Sequence, residues 1–206
     1  NTRDRDEVSV VEDADALIQA KVASGELTFP PGYYYQWAGQ FENQVRATRR
    51  LAVLIPLCLL IDFVLLYLGF GRWWVALLVF SGIIVSASGG FLMLLFYGFN
   101  LSVAVWVGFI ALFGIAVQNS VVLVSTIHQL REEGGSVKEA IVEGALLRLR
   151  PVLMTALTTI LGLLPLLMAQ GIGSEVQRPL AIVVAFGLTT STVLTLFIIP
   201  AMYEWI

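Results

Sequence analysis

The sequence is poor in charge, cysteine and histidine. Charged residues make up 13% of its 206 amino acids and hydrophobic residues 58%, whereas about a quarter of an ordinary soluble domain is charged. The single cysteine, Cys58, cannot form an intrachain disulfide or a thiolate metal cage. The net charge is −3 and no basic stripe is present, which excludes a nucleic-acid partner. No motif for nucleotide binding or covalent catalysis occurs, so neither an enzyme nor a cofactor is predicted.

The few charges are concentrated near the N-terminus. Fourteen of them lie in residues 1–50, and between Leu51 and Leu130 only Asp62 and Arg72 are charged. The mean hydropathy of the chain is +0.84. A soluble fold could not hide so much apolar surface, so the composition predicts a polytopic membrane protein with a small polar N-terminal part.

The polar N-terminal part has the pattern of an α+β fragment. Alternating residues at 8–10 predict a short strand, residues 13–24 a helix, and aromatic alternation over 33–37 a second strand. We therefore interpret residues 1–40 as the end of a soluble α+β domain. Residues 41–50 are predicted to form a helix that connects it to the membrane.

Residues 51–206 are predicted to form a mainly α, helical membrane bundle. A bilayer core about 30 Å thick needs about 20 helical residues to cross it, and five segments approach or reach that length: 51–70, 74–99, 101–127, 152–170 and 180–205. A capping box from Ser136 to Glu139 predicts a cytoplasmic amphipathic helix over 136–149. Pro151 suits the first turn of the span that follows.

Basic residues predict the orientation of the spans. The first and third loops carry Arg72, Arg131, Lys138, Arg148 and Arg150, whereas the second and fourth carry only Arg178. Lys and Arg are enriched in cytoplasmic loops. The N-terminal segment is therefore expected outside the cell membrane and the C-terminus in the cytoplasm.

Four sequence motifs resemble resistance-nodulation-division (RND) transporters. They are Gly39-Gln-Phe-Glu42, the run from Gly108 to Asn119, the run from Glu143 to Thr155, and Gly171-Ile-Gly-Ser-Glu-Val-Gln-Arg-Pro179. The last motif resembles the heavy-metal efflux branch. The resemblance implies the end of a periplasmic porter domain followed by spans eight to twelve of a twelve-span inner-membrane subunit. Because the chain also begins without Met, we expect a fragment of a longer protein.

The same resemblance implies partners and a proton path. RND subunits of this kind are homotrimers that work with a periplasmic adaptor and an outer-membrane channel. Gln118 matches the relay position of the superfamily, where other members carry a lysine or a glutamate, and Asn119 follows it. Arg148 and Thr155 match positions assigned to the proton path. The alternatives are that the two amides join helices through hydrogen bonds, and that Arg148 is a positive-inside anchor and Thr155 bonds its own backbone.

The spans contain further polar and soft side chains that could carry chemistry. Asp62 lies near the middle of the first span, where it is a proton carrier, a protonated acid bonded to a neighbouring helix, or an acid that reaches a wet crevice. We predict that Met93, Met154, Met168 and Met202 pack in the core and that His128 lies at headgroup level. The Ser and Thr residues between Thr189 and Thr195 are expected to bond backbone carbonyls.

Together these features predict the C-terminal membrane module of a proton-driven efflux pump for heavy-metal cations, with divalent ions as substrate. The metal ligands would lie in porter sequence outside this chain. Two alternatives remain: a multidrug-type RND subunit, and a truncated or split subunit that serves as an assembly or regulatory partner.

Overall fold

The computed structural model describes residues 7–37, 39–99, 101–171 and 173–203, and its regular elements are helices. The six helices of this part of the chain are α1 Glu7–Ala23, α2 Gln40–Phe70, α3 Trp73–Tyr97, α4 Val103–Glu132, α5 Val137–Leu167 and α6 Ser174–Tyr203. Residues 1–6 of the predicted porter fragment and 204–205 of the predicted last span lie outside the described residues.

Five of these helices are long and apolar enough to cross a bilayer, by length and composition: α2, α3, α4, α5 and α6. Each one includes most of a span predicted from the sequence. Backbone polar groups in hydrocarbon must be satisfied internally, and a helix does so within one segment. The prediction of a helical membrane bundle is therefore confirmed.

The predicted α+β fragment is not observed, because the described residues contain no strand. Residues 8–10 belong to α1 instead of a strand. Along this helix, the half-buried side chains Val10, Val11, Ala14, Asp15 and Ile18 follow a helical period. Residues 33–37 have no strand partner in this part of the chain. The alternation of two or three apolar residues was too short to specify a sheet.

Residues 1–53 form one compact unit, in which hydrogen bonds to Asp15 join two of the described segments. The Asp15 carboxylate accepts from Trp37 Nε1 at 2.8 Å, from the Tyr35 hydroxyl at 2.9 Å and from Gln19 Nε2 at 2.6 Å. These bonds hold the pKa of Asp15 below its ordinary value, and the bond from Trp37 lowers it most. The carboxylate thus fastens the segment around residues 33–37 to α1.

The second unit, residues 54–206, is organised around α6, which packs against α3, α4 and α5. Small residues let these backbones approach closely. A β-carbon built at Gly187 of α6 would collide with the Leu112 side chain and lie 3.2 Å from the Ser86 carbonyl oxygen. One built at Gly108 would lie 3.3 Å from the carbonyl oxygen of Leu180. These contacts give the close van der Waals packing that holds membrane helices together.

Helix α5 is longer than the sequence predicted. The capping box is confirmed, since Ser136 and Glu139 satisfy each other's backbone N–H groups at the N-terminus. The expected break between an amphipathic helix over 136–149 and the next span does not occur, because α5 continues from Val137 to Leu167 through Pro151. Proline removes one intrahelical donor and fixes φ at a helical value. It is tolerated here inside one continuous helix.

Helices α2 and α5 expose most of their apolar side chains, whereas α3, α4 and α6 form the buried centre. Within the second unit, α2 contacts α3 through an edge-to-face pair of Phe63 and Phe80, whose ring centroids are 5.7 Å apart. The side chain of Leu66 joins the same core. The described part of the second unit therefore has a compact three-helix centre with two peripheral helices.

We predict that Gly187→Ala lowers the free energy of unfolding of the purified protein by about 1–3 kcal/mol, because the added methyl group forces α6 away from α3 and α4. Gly114→Ala on α4 is the matched control, since a β-carbon there meets nothing within 4 Å. This control should leave stability unchanged or raise it by about 0.5–1 kcal/mol. Denaturant titration in detergent measures both changes, and equal effects of the two variants would contradict the packing described here.

Candidate functional site

Gln118 lies on the outward face of α4. Exposed residues recur along this face at helical spacing: Val107, Ile110, Ala111, Gly114 and Gln118. The amide of Gln118 makes no hydrogen bond to any side chain in the described ranges. Gln118 is therefore a polar group on an otherwise apolar stripe, where a polar partner from outside these helices can reach it.

The side chain of Asn119 points in a different direction from that of Gln118, although the two residues are adjacent in sequence. It is half-buried, and its Nδ2 atom is buried without a hydrogen-bond partner among the described residues. It follows Leu112 by seven residues, which places both on the same face of α4. Because Leu112 packs at Gly187, this face is turned towards α6. The two amides predicted as one site are thus divided between the outer surface and the interior.

Arg148 is bound to α4 through a residue that the sequence analysis did not single out. Its Nε donates to the Thr126 hydroxyl at 2.7 Å, and that hydroxyl donates in turn to the Val122 carbonyl at 2.8 Å. Both side chains are partly buried, so the charged hydrogen bond is partly shielded from solvent. Thr126 carries no motif of its own, and only the packing of α5 on α4 reveals its role.

Thr155 lies two turns beyond Arg148 on α5. It is exposed, and its hydroxyl donates to the Pro151 carbonyl at 2.9 Å. Helices α4 and α5 run antiparallel, since Gly144 packs at Ile127 whereas Ala156 shares a core cluster with Leu112. Thr155 lies seven residues after Arg148 and Gln118 eight residues before Thr126, about 10.5 Å and about 12 Å along the two helices. Thr155 therefore lies near the membrane level of Gln118, although no direct contact joins them.

Asp62 is half-buried on α2. Its carboxylate makes no hydrogen bond or ion pair with the residues in the described ranges, and α2 has no close backbone approach to α4 or α5 there. The structure thus brings Arg148 to α4 and places Thr155 level with Gln118, but leaves Asp62 apart from them. Its predicted role as a proton carrier is not tested by this geometry.

For the methionines and His128, the sequence predicts core packing and a headgroup-level position rather than metal binding. Within residues 7–37, 39–99, 101–171 and 173–203, no group of three or more His, Cys, Asp or Glu residues could hold a metal ion. The core-packing prediction is wrong for Met154, Met168 and Met202, which are exposed. They lie on α5 or directly after it, or at the end of α6, away from the three-helix centre. His128 is exposed near the end of α4, with its Nε2 atom 3.9 Å from Glu132.

The hydroxyls of α6 depart in part from the sequence prediction. Thr189 and Thr190 donate to carbonyls one turn earlier, as expected. The expectation is wrong for Ser191, Thr192 and Thr195, because their buried hydroxyls have no partner among the described residues. Side-chain rotamers, which the sequence pattern cannot specify, decide this difference.

Comparison with known proteins identifies the relatives of this chain. The AcrB/AcrD/AcrF family model matches residues 1–206. The cobalt-zinc-cadmium resistance protein CzcA of Cupriavidus metallidurans is 49% identical over 204 residues, which are 99% of this chain. The cation efflux system protein CusA of Escherichia coli K12 is 41% identical over 215 residues, again covering 99% of this chain.

A solved structure agrees with these sequence matches. The crystal structure of a heavy metal efflux pump, crystal form II, superposes on this chain with a TM-score of 0.77 and 42% identity, and the match covers 100% of this chain and 20% of that one. The chain spans 19% of the length of CzcA and 20% of that of CusA. The chain belongs to the AcrB/AcrD/AcrF family of RND transporters, which are secondary transporters rather than enzymes, and within it to the heavy-metal efflux branch.

Proposed function

We propose that this chain is the C-terminal membrane module of a heavy-metal cation efflux pump that exchanges protons for metal. The observation that carries the proposal is the amide of Gln118 on the outward, apolar face of α4, level with Thr155 of α5. A polar group facing hydrocarbon is costly. Its place on the surface of these helices favours a polar partner in the remainder of the subunit.

The chemistry of this position assigns a supporting role to Gln118. A neutral amide cannot gain or lose a proton at accessible pH, but it can donate to a carboxylate and accept from a carboxylic acid. The titrating carboxylate would belong to the fourth span of the subunit, outside this chain. Protonation of that carboxylate would change its hydrogen bonds to Gln118, and thereby the packing of the fourth span against α4 and α5.

The Arg148–Thr126 bond fixes α5 to α4 about two turns from this level. A rigid attachment is useful there, because α4 and α5 would then respond together when the carboxylate changes its charge. The hydroxyl of Thr155 can both donate and accept a hydrogen bond. In this structure it donates to the Pro151 carbonyl of its own helix α5. Asp62 would be a second titrating group on α2.

The names of the relatives support a substrate class. CzcA is a cobalt-zinc-cadmium resistance protein, and these three metals form divalent ions. We propose divalent cations as substrate, ligated outside this chain. The complete pump would be an inner-membrane homotrimer with a periplasmic adaptor and an outer-membrane channel. The N-terminal segment of this chain would lie in the periplasm and its C-terminus in the cytoplasm.

Growth assays test the proposed substrate class. A bacterial strain that lacks its own metal pumps should gain resistance to cobalt, zinc or cadmium salts when it expresses the complete subunit with its adaptor and channel. Resistance to dyes and detergents should not change. Resistance to dyes without resistance to metals would favour a multidrug pump. No gain for either class, with the complex assembled at normal levels, would favour a regulatory subunit.

Gln118→Leu should reduce metal resistance at least tenfold while leaving the amount of protein in the membrane unchanged, because leucine fills similar space but cannot hydrogen-bond. Val107→Leu is the matched control, since Val107 lies eleven residues earlier on the same exposed face of α4. Its resistance should equal that of the wild type. Full resistance of Gln118→Leu at normal expression would exclude a role for this amide in transport.

Thr126→Val should lower the free energy of unfolding by about 1.5–3 kcal/mol, the range for a hydrogen bond to a charged group, because the variant keeps the side-chain shape and leaves Arg148 Nε without its acceptor. Thr158→Val on α5 is the control, since that exposed hydroxyl bonds only carbonyls of its own helix. Chemical denaturation in detergent measures both. Equal losses of stability in the two variants would show that the Arg148–Thr126 bond between α4 and α5 stabilises the protein no more than a bond within one helix.

A further inference from the structure

Three hydroxyls of α6 are buried without a hydrogen-bond partner in the described part of the chain. Ser191, Thr192 and Thr195 are 1%, 4% and 3% exposed, and none of their oxygen atoms is bonded to a described residue. Elsewhere in the spans, buried or partly buried hydroxyls donate to a carbonyl one turn earlier: Ser81, Ser86, Ser120, Thr126 and Thr190. The three hydroxyls of α6 are thus an exception within the same bundle.

A fourth unpartnered group lies at the same level on α4. Helices α4 and α6 run parallel, because Gly108 packs at Leu180 and Leu112 packs at Gly187. Asn119 lies seven residues after Leu112, and Thr195 lies eight residues after Gly187, so the two residues are within one helical turn of the same level. The buried Nδ2 atom of Asn119 is therefore on the α6-facing side of α4, near the level of the hydroxyls.

Small side chains from α3 and α4 surround this level. Gly82 of α3 faces the Ser120 hydroxyl, since a β-carbon there would lie 2.9 Å from its oxygen. Ser86 and Ala116 are also fully buried. We use the name hydroxyl layer for the three hydroxyls of Ser191, Thr192 and Thr195 together with the Asn119 amide. Small and polar side chains of α3 and α4 thus border this level.

We propose that the hydroxyl layer binds water molecules inside the bundle between α3, α4 and α6. A buried polar group without a partner is strongly unfavourable, and four of them at one level would be difficult to retain. A bound ligand must accept from the Asn119 N–H group and exchange hydrogen bonds with hydroxyls. Water does both, whereas a metal cation can only accept lone pairs and cannot be bound by an N–H group.

Isosteric substitution distinguishes bound water from unsatisfied hydroxyls. Thr195→Val keeps the side-chain shape and removes one water ligand, so the purified protein in lipid nanodiscs should unfold at a lower temperature. Thr189→Val is the control, because that hydroxyl is exposed and bonded to the Ala185 carbonyl, and it should shift the midpoint less. A rise in the midpoint for Thr195→Val would overturn the proposal, because removal of an unsatisfied hydroxyl stabilises a protein.

A labelling experiment detects the water itself and does not depend on transport. Pulsed radiolysis of the wild-type protein generates hydroxyl radicals from bound water, so side chains beside the layer, such as Leu188 and Ile199, should be oxidised despite their burial. Leu94 of α3 and Val105 of α4 are equally buried and lie at least twelve residues, about 18 Å, along their helices from Gly82 and Asn119, so these two residues are the internal control. Labelling of α6 no greater than that of these residues would contradict bound water. In the combined variant Ser191→Ala, Thr192→Val and Thr195→Val the α6 labelling should be lost.

Discussion

Close contact between helix backbones is the constraint on which the membrane unit depends. Lipid chains are as apolar as leucine, so burial of apolar side chains gives membrane helices little reason to associate. Gly187 and Gly108 solve this problem by bringing α6 within van der Waals distance of α3 and α4. Every other feature of the unit is placed relative to this three-helix centre, including the attachment of α5 and the register that brings Asn119 level with the α6 hydroxyls.

The two peripheral helices have a different physical role. Helices α2 and α5 leave most of their apolar side chains uncovered, which is stable in a membrane because hydrocarbon can cover them. An uncovered polar group on such a surface is unfavourable in hydrocarbon. Gln118 and Thr155 stand at one level on the outer faces of α4 and α5, and this arrangement suits a polar partner better than lipid. The proposed relay therefore lies at the edge of the centre rather than inside it.

Hydrogen bonding divides the polar residues of the bundle into two groups with separate consequences. Arg148 and Thr126 form a charged, partly buried bond that fixes one helix to another. The hydroxyl layer instead presents buried groups whose partners are not side chains or carbonyls of the described residues. Direct bonds of the first kind favour a rigid connection. Water-mediated bonds of the second kind can satisfy polar groups that do not meet directly.

The sequence by itself determined the membrane character, the number of long apolar helices and the family motifs, because hydropathy, span length and cap residues act locally. It failed for residues 8–10 and 33–37, where a strand needs a partner that local alternation cannot supply, and at Pro151, where α5 continues. Only the tertiary structure separated Gln118 from Asn119 and joined Arg148 to Thr126. It also left the hydroxyls of Ser191, Thr192 and Thr195 without partners among the described residues. The physical reason is that these relations depend on helix rotation and rotamers, which are set by packing between distant segments.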